Sequence, residues 1–238
     1  MSSTELEPYQ KDLIEASLEA GALQFGAFTL KSGRISPYFF NAGLLASGPL
    51  LNSLATAYAA IIAREFTTPS STSSTSSSAS PVPQFDILFG PAYKGISLAA
   101  CTALVLHRDH NIGIGYAYDR KEAKDHGEGG RMVGTPVKGK RVLILDDVMT
   151  AGTAVRGSLE MIRKEGGEVV GVVMCLEREE VGPSGASTRV EVEKLIGREK
   201  CFASIFKMRD LMGWVEKTGT QEQVRAMKEY WEKYGVKE

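Results

Sequence analysis

The sequence lacks the features that mark several large classes of protein. Its formal net charge is −1 over 238 residues, so there is no overall basic field to attract nucleic acid or an anionic membrane. The longest apolar stretch, around residues 95–106, is too short to span a bilayer. There is no G-x-x-x-x-G-K-[ST] motif, and no G-x-G-x-x-G motif follows a strand pattern. We therefore expect no nucleic-acid partner, no membrane partner and no P-loop.

Cysteine is scarce, with three residues at positions 101, 175 and 201. Their number is odd, they are far apart and each lies in an apolar context, so we interpret them as buried thiols in a reducing compartment. Residues 1–8 contain neither the basic region nor the apolar core of a secretory signal. We expect a cytoplasmic protein, and its 43% hydrophobic and 24% charged residues are ordinary for a globular domain.

The strongest local pattern lies at residues 142–154, which read Val-Leu-Ile-Leu-Asp-Asp-Val-Met-Thr-Ala-Gly-Thr-Ala. Four apolar residues lead to Asp146 and Asp147, and a loop of small residues follows. From Val155 onward, apolar residues recur at helical spacing. This order predicts a buried parallel strand, a loop and a helix, with both carboxylates at the carboxyl end of the strand.

Such a unit is typical of a ligand site in an open α/β sheet. Residues 150–153 can direct backbone N–H groups and hydroxyls to one point at a helix N-terminus, where an anion binds. The two adjacent carboxylates would repel a bare phosphate, but they accept hydrogen bonds from hydroxyls or hold Mg²⁺. The pattern therefore predicts a sugar phosphate whose diol lies beside the carboxylates. The alternative, a solvated strand end, does not explain the Thr-Ala-Gly-Thr loop.

The remaining patterns predict an α/β fold with a mostly parallel central sheet flanked by helices, in one domain over residues 1–238. Strand patterns occur at residues 28–30, 38–41, 85–89, 112–118, 142–145, 168–176 and 201–206. Helix patterns occur at residues 9–20, after an N-cap at Ser47, and at residues 96–106, an apolar run that we expect to be buried on all sides. Capping boxes mark two further helices, at Thr188 with Glu191 and at Thr220 with Gln223.

Residues 67–83 form the only low-complexity segment, dominated by Ser and Thr with Pro near its ends. It has no apolar periodicity, so burial cannot offset the entropy cost of ordering it. We predict a mobile surface insertion between a helix and the next strand.

Residues 119–140 lie between two strand patterns, contain no apolar run and are rich in Gly. Their first third carries the cations Arg120, Lys121 and Lys124, with His126 beside them. A solvated loop is one interpretation, since charge runs usually are that. A long structureless loop inside a compact domain is more often a functional lid, so we predict a flexible lid that closes over a ligand.

Lys94 follows the strand at residues 85–89 and adds a cation near the acidic strand end. Together with the lid, this gives more positive charge than a single phosphate requires. It suits a triphosphorylated sugar whose pyrophosphate departs, because the leaving group gains charge as the bond breaks.

Four stretches, at residues 28–41, 90–95, 120–130 and 146–154, resemble the orotate phosphoribosyltransferases, which are type I phosphoribosyltransferases. The second and fourth mark the wider superfamily, whereas the first and third are close to diagnostic of the orotate enzymes. The resemblance covers nearly the full chain. The insertion and Met149 are the departures from the family pattern.

The resemblance implies a type I phosphoribosyltransferase fold, with a small hood built mainly from residues 1–45 and 197–238. It implies transfer of the 5-phosphoribosyl group of 5-phosphoribosyl-1-pyrophosphate (PRPP) to orotate, which gives orotidine 5′-monophosphate and pyrophosphate in pyrimidine biosynthesis. Mg²⁺ would bind mainly through PRPP, with Asp146 and Asp147 as candidate protein ligands. The resemblance also implies a homodimer in which lid residues are shared between subunits.

The resemblance assigns roles to individual residues as well. The catalytic set would be Lys121, Lys124, His126, Asp146 and Asp147. The PRPP-binding set would be Tyr93, Lys94, Arg120, Lys121, Lys124, His126, Asp146, Asp147, Val148, Met149, Thr150, Ala151, Gly152, Thr153 and Ala154. The orotate-binding set would be Lys31, Phe39, Phe40, Thr150 and Arg178. A guanidinium such as that of Arg178 can bind a carboxylate through two hydrogen bonds.

Two other functions stay open at this point. A non-catalytic regulator that binds PRPP would keep the cradle at residues 146–154. The basic lid argues against it, because a sensor has no leaving group to hold. A phosphoribosyltransferase for another nucleobase would keep both features, and only the resemblance at residues 28–41 favours orotate.

Overall fold

The computed structural model of the chain describes residues 5–30, 32–69, 81–124, 130–149, 153–182 and 185–237. The helices are α1 (Pro8–Glu19), α2 (Gly48–Glu65), α3 (Lys94–His110), α4 (Thr153–Lys164), α5 (Thr188–Ile196), α6 (Met208–Thr218) and α7 (Gln221–Tyr234). The strands are β1 (Leu23–Thr29), β2 (Ile35–Phe40), β3 (Thr67–Thr68), β4 (Val82–Pro83), β5 (Ile87–Gly90), β6 (Gly115–Lys124), β7 (Gly130–Gly134), β8 (Arg141–Val148), β9 (Glu168–Glu177) and β10 (Phe202–Lys207).

The central sheet has the strand order β10-β9-β8-β5-β6-β7. Neighbouring strands are parallel except for β6 and β7, which are antiparallel. This confirms the mostly parallel sheet expected from the sequence. Because β5 and β8 are adjacent and parallel, the loops that follow these two strands meet at the same edge of the sheet.

Helices cover both faces of the sheet, and the side chains of β8 alternate between the two cores. Val142 and Ile144 pack in the core that includes α4, whereas Leu143 and Leu145 pack in the core that includes α2 and α3. Alternation with a period of two follows from strand geometry. This fully buried strand carries the acidic pair out to the edge of the sheet.

The N- and C-terminal segments pack against each other at one side of the sheet. Strands β1 and β2 form an antiparallel hairpin. The ring of Phe25 stacks on that of Trp214 with centroids 6.5 Å apart, and Phe40 packs edge-on against Phe206 at 5.7 Å. The hairpin is therefore held by α6 and β10, which lie near the other end of the sequence.

The insertion at residues 67–83 has regular structure at its two ends, which the sequence pattern did not indicate. Strands β3 and β4 pair antiparallel, with Thr67 opposite Pro83 and Thr68 opposite Val82. Residues 70–80 lie outside the described part of the chain. The pairing of β3 with β4 brings together α2 and β5, the two elements that flank the insertion. The position at which β5 begins therefore does not depend on the segment between β3 and β4.

The predicted structureless lid is also wrong for much of residues 119–140. Strand β6 continues to Lys124 and pairs with β7 as an antiparallel hairpin at the sheet edge, with Asp119 opposite Met132. An edge hairpin can form without an apolar run, because backbone hydrogen bonds hold it and its charged side chains stay in solvent. Residues 125–129, which include His126, lie outside the described residues.

Three smaller differences concern helices. Leu104 in α3 is 65% exposed, so this helix is not buried on all sides as expected. The N-cap of α5 is Ser187, whose hydroxyl accepts from the Val190 N–H at 3.1 Å, one residue before the predicted cap at Thr188. Helix α6 was not predicted at all. The cap at Ser47 and the capping box at Thr220 are confirmed.

None of the helices in the described ranges has the length and apolar character needed to cross a membrane.

Candidate active site

The end of β8 and the start of α3, the helix that follows β5, meet at the carboxyl edge of the sheet. Asp147, near the end of β8, accepts an ion-paired hydrogen bond at 2.8 Å from the ammonium of Lys94, the first residue of α3. Asn41, just after β2, accepts from the same ammonium at 3.3 Å. The structure therefore brings together Lys94 and Asp147, two residues that the sequence placed in one site, and adds Asn41.

Asp146 lies in an environment that disfavours its charge. Burial, with a second contribution from the charge of Asp147, raises the pKa of Asp146 to about 6. The backbone N–H of Asp147 donates to the Asp146 carboxylate at 2.9 Å, and Lys94 and Lys121 oppose the rise in the pKa of Asp146. A buried carboxylate with a raised pKa at a cleft is typical of a functional site. Holding the carboxylates of Asp146 and Asp147 side by side costs electrostatic free energy. A ligand or metal that binds both carboxylates would offset this repulsion.

Tyr58 supports the acidic strand end from behind. Its hydroxyl, on the buried face of α2, donates to the backbone carbonyl of Asp146 at 2.8 Å. Tyr58 was not among the site residues selected from the sequence. No local signal indicates this contact, because it joins residues 88 positions apart.

The loop after β5 is tight and is tied to the lid hairpin. A side chain at Gly90 would overlap the backbone carbonyl of Gly95, so the loop requires glycine there. The N–H of Ala92 donates to the carboxylate of Asp119 at 2.6 Å. Asp119 is buried at the base of the lid hairpin, and sequence reasoning did not select it.

Tyr93, a predicted PRPP-binding residue, is 74% exposed.

The predicted phosphate cradle is only partly described. Strand β8 ends at Val148 and α4 begins at Thr153, which confirms the strand–loop–helix unit. The Met149 side chain is buried in the core, so only its backbone can face a ligand. Ala154 is exposed in the first turn of α4. Thr150, Ala151, Gly152 and the Thr153 side chain lie outside the described part of the structure.

The predicted lid cations lie on strand β6. Arg120 is partly buried, and Lys121 is exposed. The Lys121 carbonyl accepts a hydrogen bond from the Arg131 guanidinium at 2.8 Å, which links the two strands of the hairpin. The positive charge of Lys121 lowers the pKa of Asp146 in the same chain, but less than the charge of Lys94 does. The side chain of Lys124 lies outside the described residues.

Arg178, predicted to bind orotate, follows the last strand residue of β9 and is 6% exposed. Arg178 is therefore not a surface arginine. Its Nε donates to Glu180 at 2.6 Å, its Nη2 donates to Ser36 at 2.9 Å, and its guanidinium lies 4.4 Å from the ring centroid of Tyr38.

The two phenylalanines of β2 differ in exposure. Phe39 is 41% exposed and contacts Phe28, with ring centroids 5.6 Å apart. Phe40 is 7% exposed and packs in the core. A planar ligand can reach the ring of Phe39, whereas Phe40 can offer only its backbone. Lys31 lies outside the described residues.

Within the described ranges, no group of three His, Cys, Asp or Glu side chains could hold a metal ion by itself. Asp146 and Asp147 nevertheless offer hard oxygen atoms. This pair fits Mg²⁺, which commonly binds one or two carboxylates and takes its other ligands from substrate phosphates and water.

Known proteins resemble this chain in sequence and in fold. A family model described as a phosphoribosyl transferase domain matches residues 83–196. The chain is 44% identical over 233 residues to an orotate phosphoribosyltransferase of Shewanella oneidensis, covering 97% of this chain and 99% of that protein. It is 47% identical over 232 residues to one of Thioalkalivibrio sulfidiphilus, covering 97% of this chain and 100% of that protein. A crystal structure of orotate phosphoribosyltransferase from Francisella tularensis matches with a TM-score of 0.79 at 36% identity, covering 94% of this chain and 100% of that one.

Proposed function

The chain belongs to the orotate phosphoribosyltransferase family, and we propose that its active site lies at the carboxyl ends of β5 and β8. It transfers the phosphoribosyl group of PRPP to orotate, which gives orotidine 5′-monophosphate and pyrophosphate for pyrimidine biosynthesis. This placement of the site rests on the 2.8 Å ion pair between Lys94 and Asp147.

Each part of this edge suits one part of PRPP. Asp146 and Asp147 accept hydrogen bonds from the ribose hydroxyls, and residues 148–154 bind the 5′-phosphate at the N-terminus of α4. Tyr93 and Lys94 bind the pyrophosphate. In the reaction, the sugar carbon becomes cationic and the pyrophosphate gains negative charge, so preorganised cations lower the barrier.

Asp146 and Asp147 would hold Mg²⁺ through their carboxylate oxygens, and the ion would supply positive charge that offsets the charge of the departing pyrophosphate. The lid contributes Arg120, Lys121, Lys124 and His126, which close over the same group and exclude water.

The base binds on the hood side of the ribose. Arg178 recognises the carboxylate of orotate, and the exposed ring of Phe39 offers a face for the pyrimidine. Lys31, Thr150 and the backbone of Phe40 belong to the same subsite.

A direct assay tests this assignment. Orotate absorbance should fall only when PRPP and Mg²⁺ are both present, and adenine, hypoxanthine and uracil should be poor substrates. Asp147→Asn should lower kcat/KM on the order of 10²-fold, as for loss of one preorganised electrostatic contact. Asp86→Asn is a matched control, because Asp86 pairs with Arg141 at the other end of β8. Equal or faster turnover of a purine, or unchanged kinetics in Asp147→Asn, would refute the assignment.

We also propose a cytoplasmic homodimer in which Lys121 acts on the PRPP of the neighbouring subunit. The sheet-edge position of the β6–β7 hairpin supports this, because a hairpin at the edge of a sheet is accessible to a neighbouring subunit. Lys121→Ala and Asp147→Asn subunits should each be nearly inactive. After verified subunit exchange, an equal mixture should recover about a quarter of wild-type activity, since half the dimers are mixed and each regains one intact site. No recovery would mean that Lys121 acts within its own subunit.

A further inference from the structure

Glu180 lies at the centre of a partly buried polar cluster next to Arg178. Its Oε1 accepts from Arg178 Nε at 2.6 Å and from the Tyr230 hydroxyl at 2.9 Å. Its Oε2 accepts from Arg34 Nη1 at 3.3 Å. Arg34 lies in the turn before β2, Arg178 follows the end of β9, and Tyr230 lies in α7. None of Glu180, Tyr230 and Arg34 was selected from the sequence as a site residue.

We propose that Glu180, Tyr230 and Arg34 are positioning residues that hold the Arg178 guanidinium for a base that carries a carboxylate. This inference rests on the role proposed above for Arg178. It adds that recognition of the base depends on α7, which need not contact the base, and on Arg34 in the turn of the β1–β2 hairpin.

The contacts fix the orientation of the guanidinium. Glu180 engages Nε, and Nη2 donates to Ser36 at 2.9 Å and to Tyr230 at 3.5 Å. The ring of Tyr38 lies against one face, 4.4 Å from the guanidinium carbon. Among the described residues, Nη1 has no hydrogen-bond partner. The cluster therefore leaves one part of the guanidinium for a ligand and prevents the side chain from rotating away.

The charges of the cluster are suited to an anionic ligand. Arg178 and Glu180 alone would neutralise each other, and a ligand carboxylate would then meet no net charge. Arg34 supplies the second cation, so the two guanidinium groups and one carboxylate carry a net positive charge. The next carboxylate, Glu179, is engaged by the Arg209 guanidinium at 2.8 Å and thus does not compete for Arg178.

The backbone after α7 fastens this region further. The Val181 N–H donates to the Tyr234 carbonyl at 2.9 Å, and the Val236 N–H donates to the Glu179 carbonyl at 2.8 Å. Burial, with the charge of Glu180 second, raises the pKa of Tyr230 to about 12, so its hydroxyl keeps the proton that it donates. Backbone hydrogen bonds therefore join the end of α7 and residue 236 to the segment that carries Arg178 and Glu180.

The test compares steady-state kinetics of variants that remove one part of the cluster at a time. Tyr230→Phe removes the hydroxyl and keeps the ring. Arg34→Gln removes the second cation, and Arg34→Lys restores the charge. Arg178→Lys tests the proposed base contact itself. Met227→Ala is the control, because Met227 lies in α7, is 1% exposed and packs in the core through apolar contacts.

We expect Tyr230→Phe and Arg34→Gln to raise the orotate KM roughly three- to tenfold, since each removes a hydrogen bond to a charged group. The PRPP KM should stay within about twofold, and Arg34→Lys should recover part of the loss. Met227→Ala should lower the melting temperature more than either variant but leave the orotate KM unchanged.

The outcomes separate this inference from the role of Arg178. If Arg178→Lys raises the orotate KM while Tyr230→Phe and Arg34→Gln do not, the positioning role is wrong and the role of Arg178 stands. If Arg178→Lys leaves the orotate KM unchanged, both the positioning role and the proposed role of Arg178 are wrong. Equal increases in the KM values of orotate and PRPP, or an increase in Met227→Ala as well, would indicate general loosening of the fold and would also overturn the inference.

Discussion

Replacing Asp146 by Asn should make the protein more stable at neutral pH and less active. Burial, and then the charge of Asp147, raises the pKa of Asp146 from 3.8 to about 6, so ionisation of this carboxyl opposes folding. Asn has nearly the same shape and keeps an acceptor for the Asp147 N–H, which lies 2.9 Å from the present carboxylate. The substitution therefore removes the charge with little change in packing.

The magnitude follows from the pKa difference. The interval from 3.8 to about 6 corresponds to about 3 kcal/mol, at about 1.4 kcal/mol per pKa unit. Asp146 keeps some solvent contact and its surroundings can relax, so we expect a gain of about 1–2 kcal/mol. Because the folded-state pKa is the higher one, the folded protein binds more protons than the unfolded chain between pH 3.8 and about 6. Wild-type stability should therefore fall as the pH rises through this window.

Urea unfolding without substrates, between about pH 4 and pH 8, checks this expectation. The advantage of Asp146→Asn over the wild type should be largest above pH 6 and should vanish towards pH 3.8. Its kcat/KM should fall on the order of 10²-fold. Asp86→Asn is a control of opposite sign, because hydrogen bonds from Arg141 lower the pKa of Asp86 to about 2. A variant no more stable than the wild type at neutral pH, or a gain that does not depend on pH, would refute the reasoning.

Three further predictions concern other parts of the site. Lys94→Ala should raise the PRPP KM about tenfold or more while the melting temperature changes little, since a half-exposed ion pair is worth at most about 1 kcal/mol; an equal change in the orotate KM would contradict this. Asp119→Ala should destabilise the protein by about 1–3 kcal/mol in urea unfolding and raise the PRPP KM, because the Ala92 N–H loses its acceptor. Asp119→Asn should restore both values, and a failure to do so would show that the negative charge is what matters. Replacing residues 70–80 by a short Gly-rich turn should leave activity and melting temperature unchanged, since β3 and β4 already close the segment; loss of soluble protein would show that the segment packs against the domain.

The sequence predicted those features that depend on neighbouring residues. The apolar run before Asp146 is buried in β8, because a strand covered on both faces needs apolar residues at every position. The caps at Ser47 and Thr220 were found for a similar reason, since the capping side chain bonds to a backbone group three residues away.

Features that depend on distant partners could not be predicted in this way. The Glu180 cluster joins residues separated by 146 and 50 positions, and a single sequence contains no signal for such pairs. The lid hairpin was missed for another reason. Its strands are polar and lie at a sheet edge, so the hydrophobic alternation that reveals a half-buried strand is absent.

The register break in the lid hairpin divides it into two parts with different opening free energies. Ala117 and Tyr118 pair with β5 on one side and β7 on the other, so their amides belong to the cooperative unit of the sheet. Beyond Asp119 the pairing is interrupted until Lys124, and this distal part can separate from β7 without breaking a hydrogen bond of the parallel sheet. Amide exchange should therefore be slow at the base of the arm and fast beyond it. As the proposed lid, the hairpin can then open locally and admit substrate many times during the lifetime of one folded molecule.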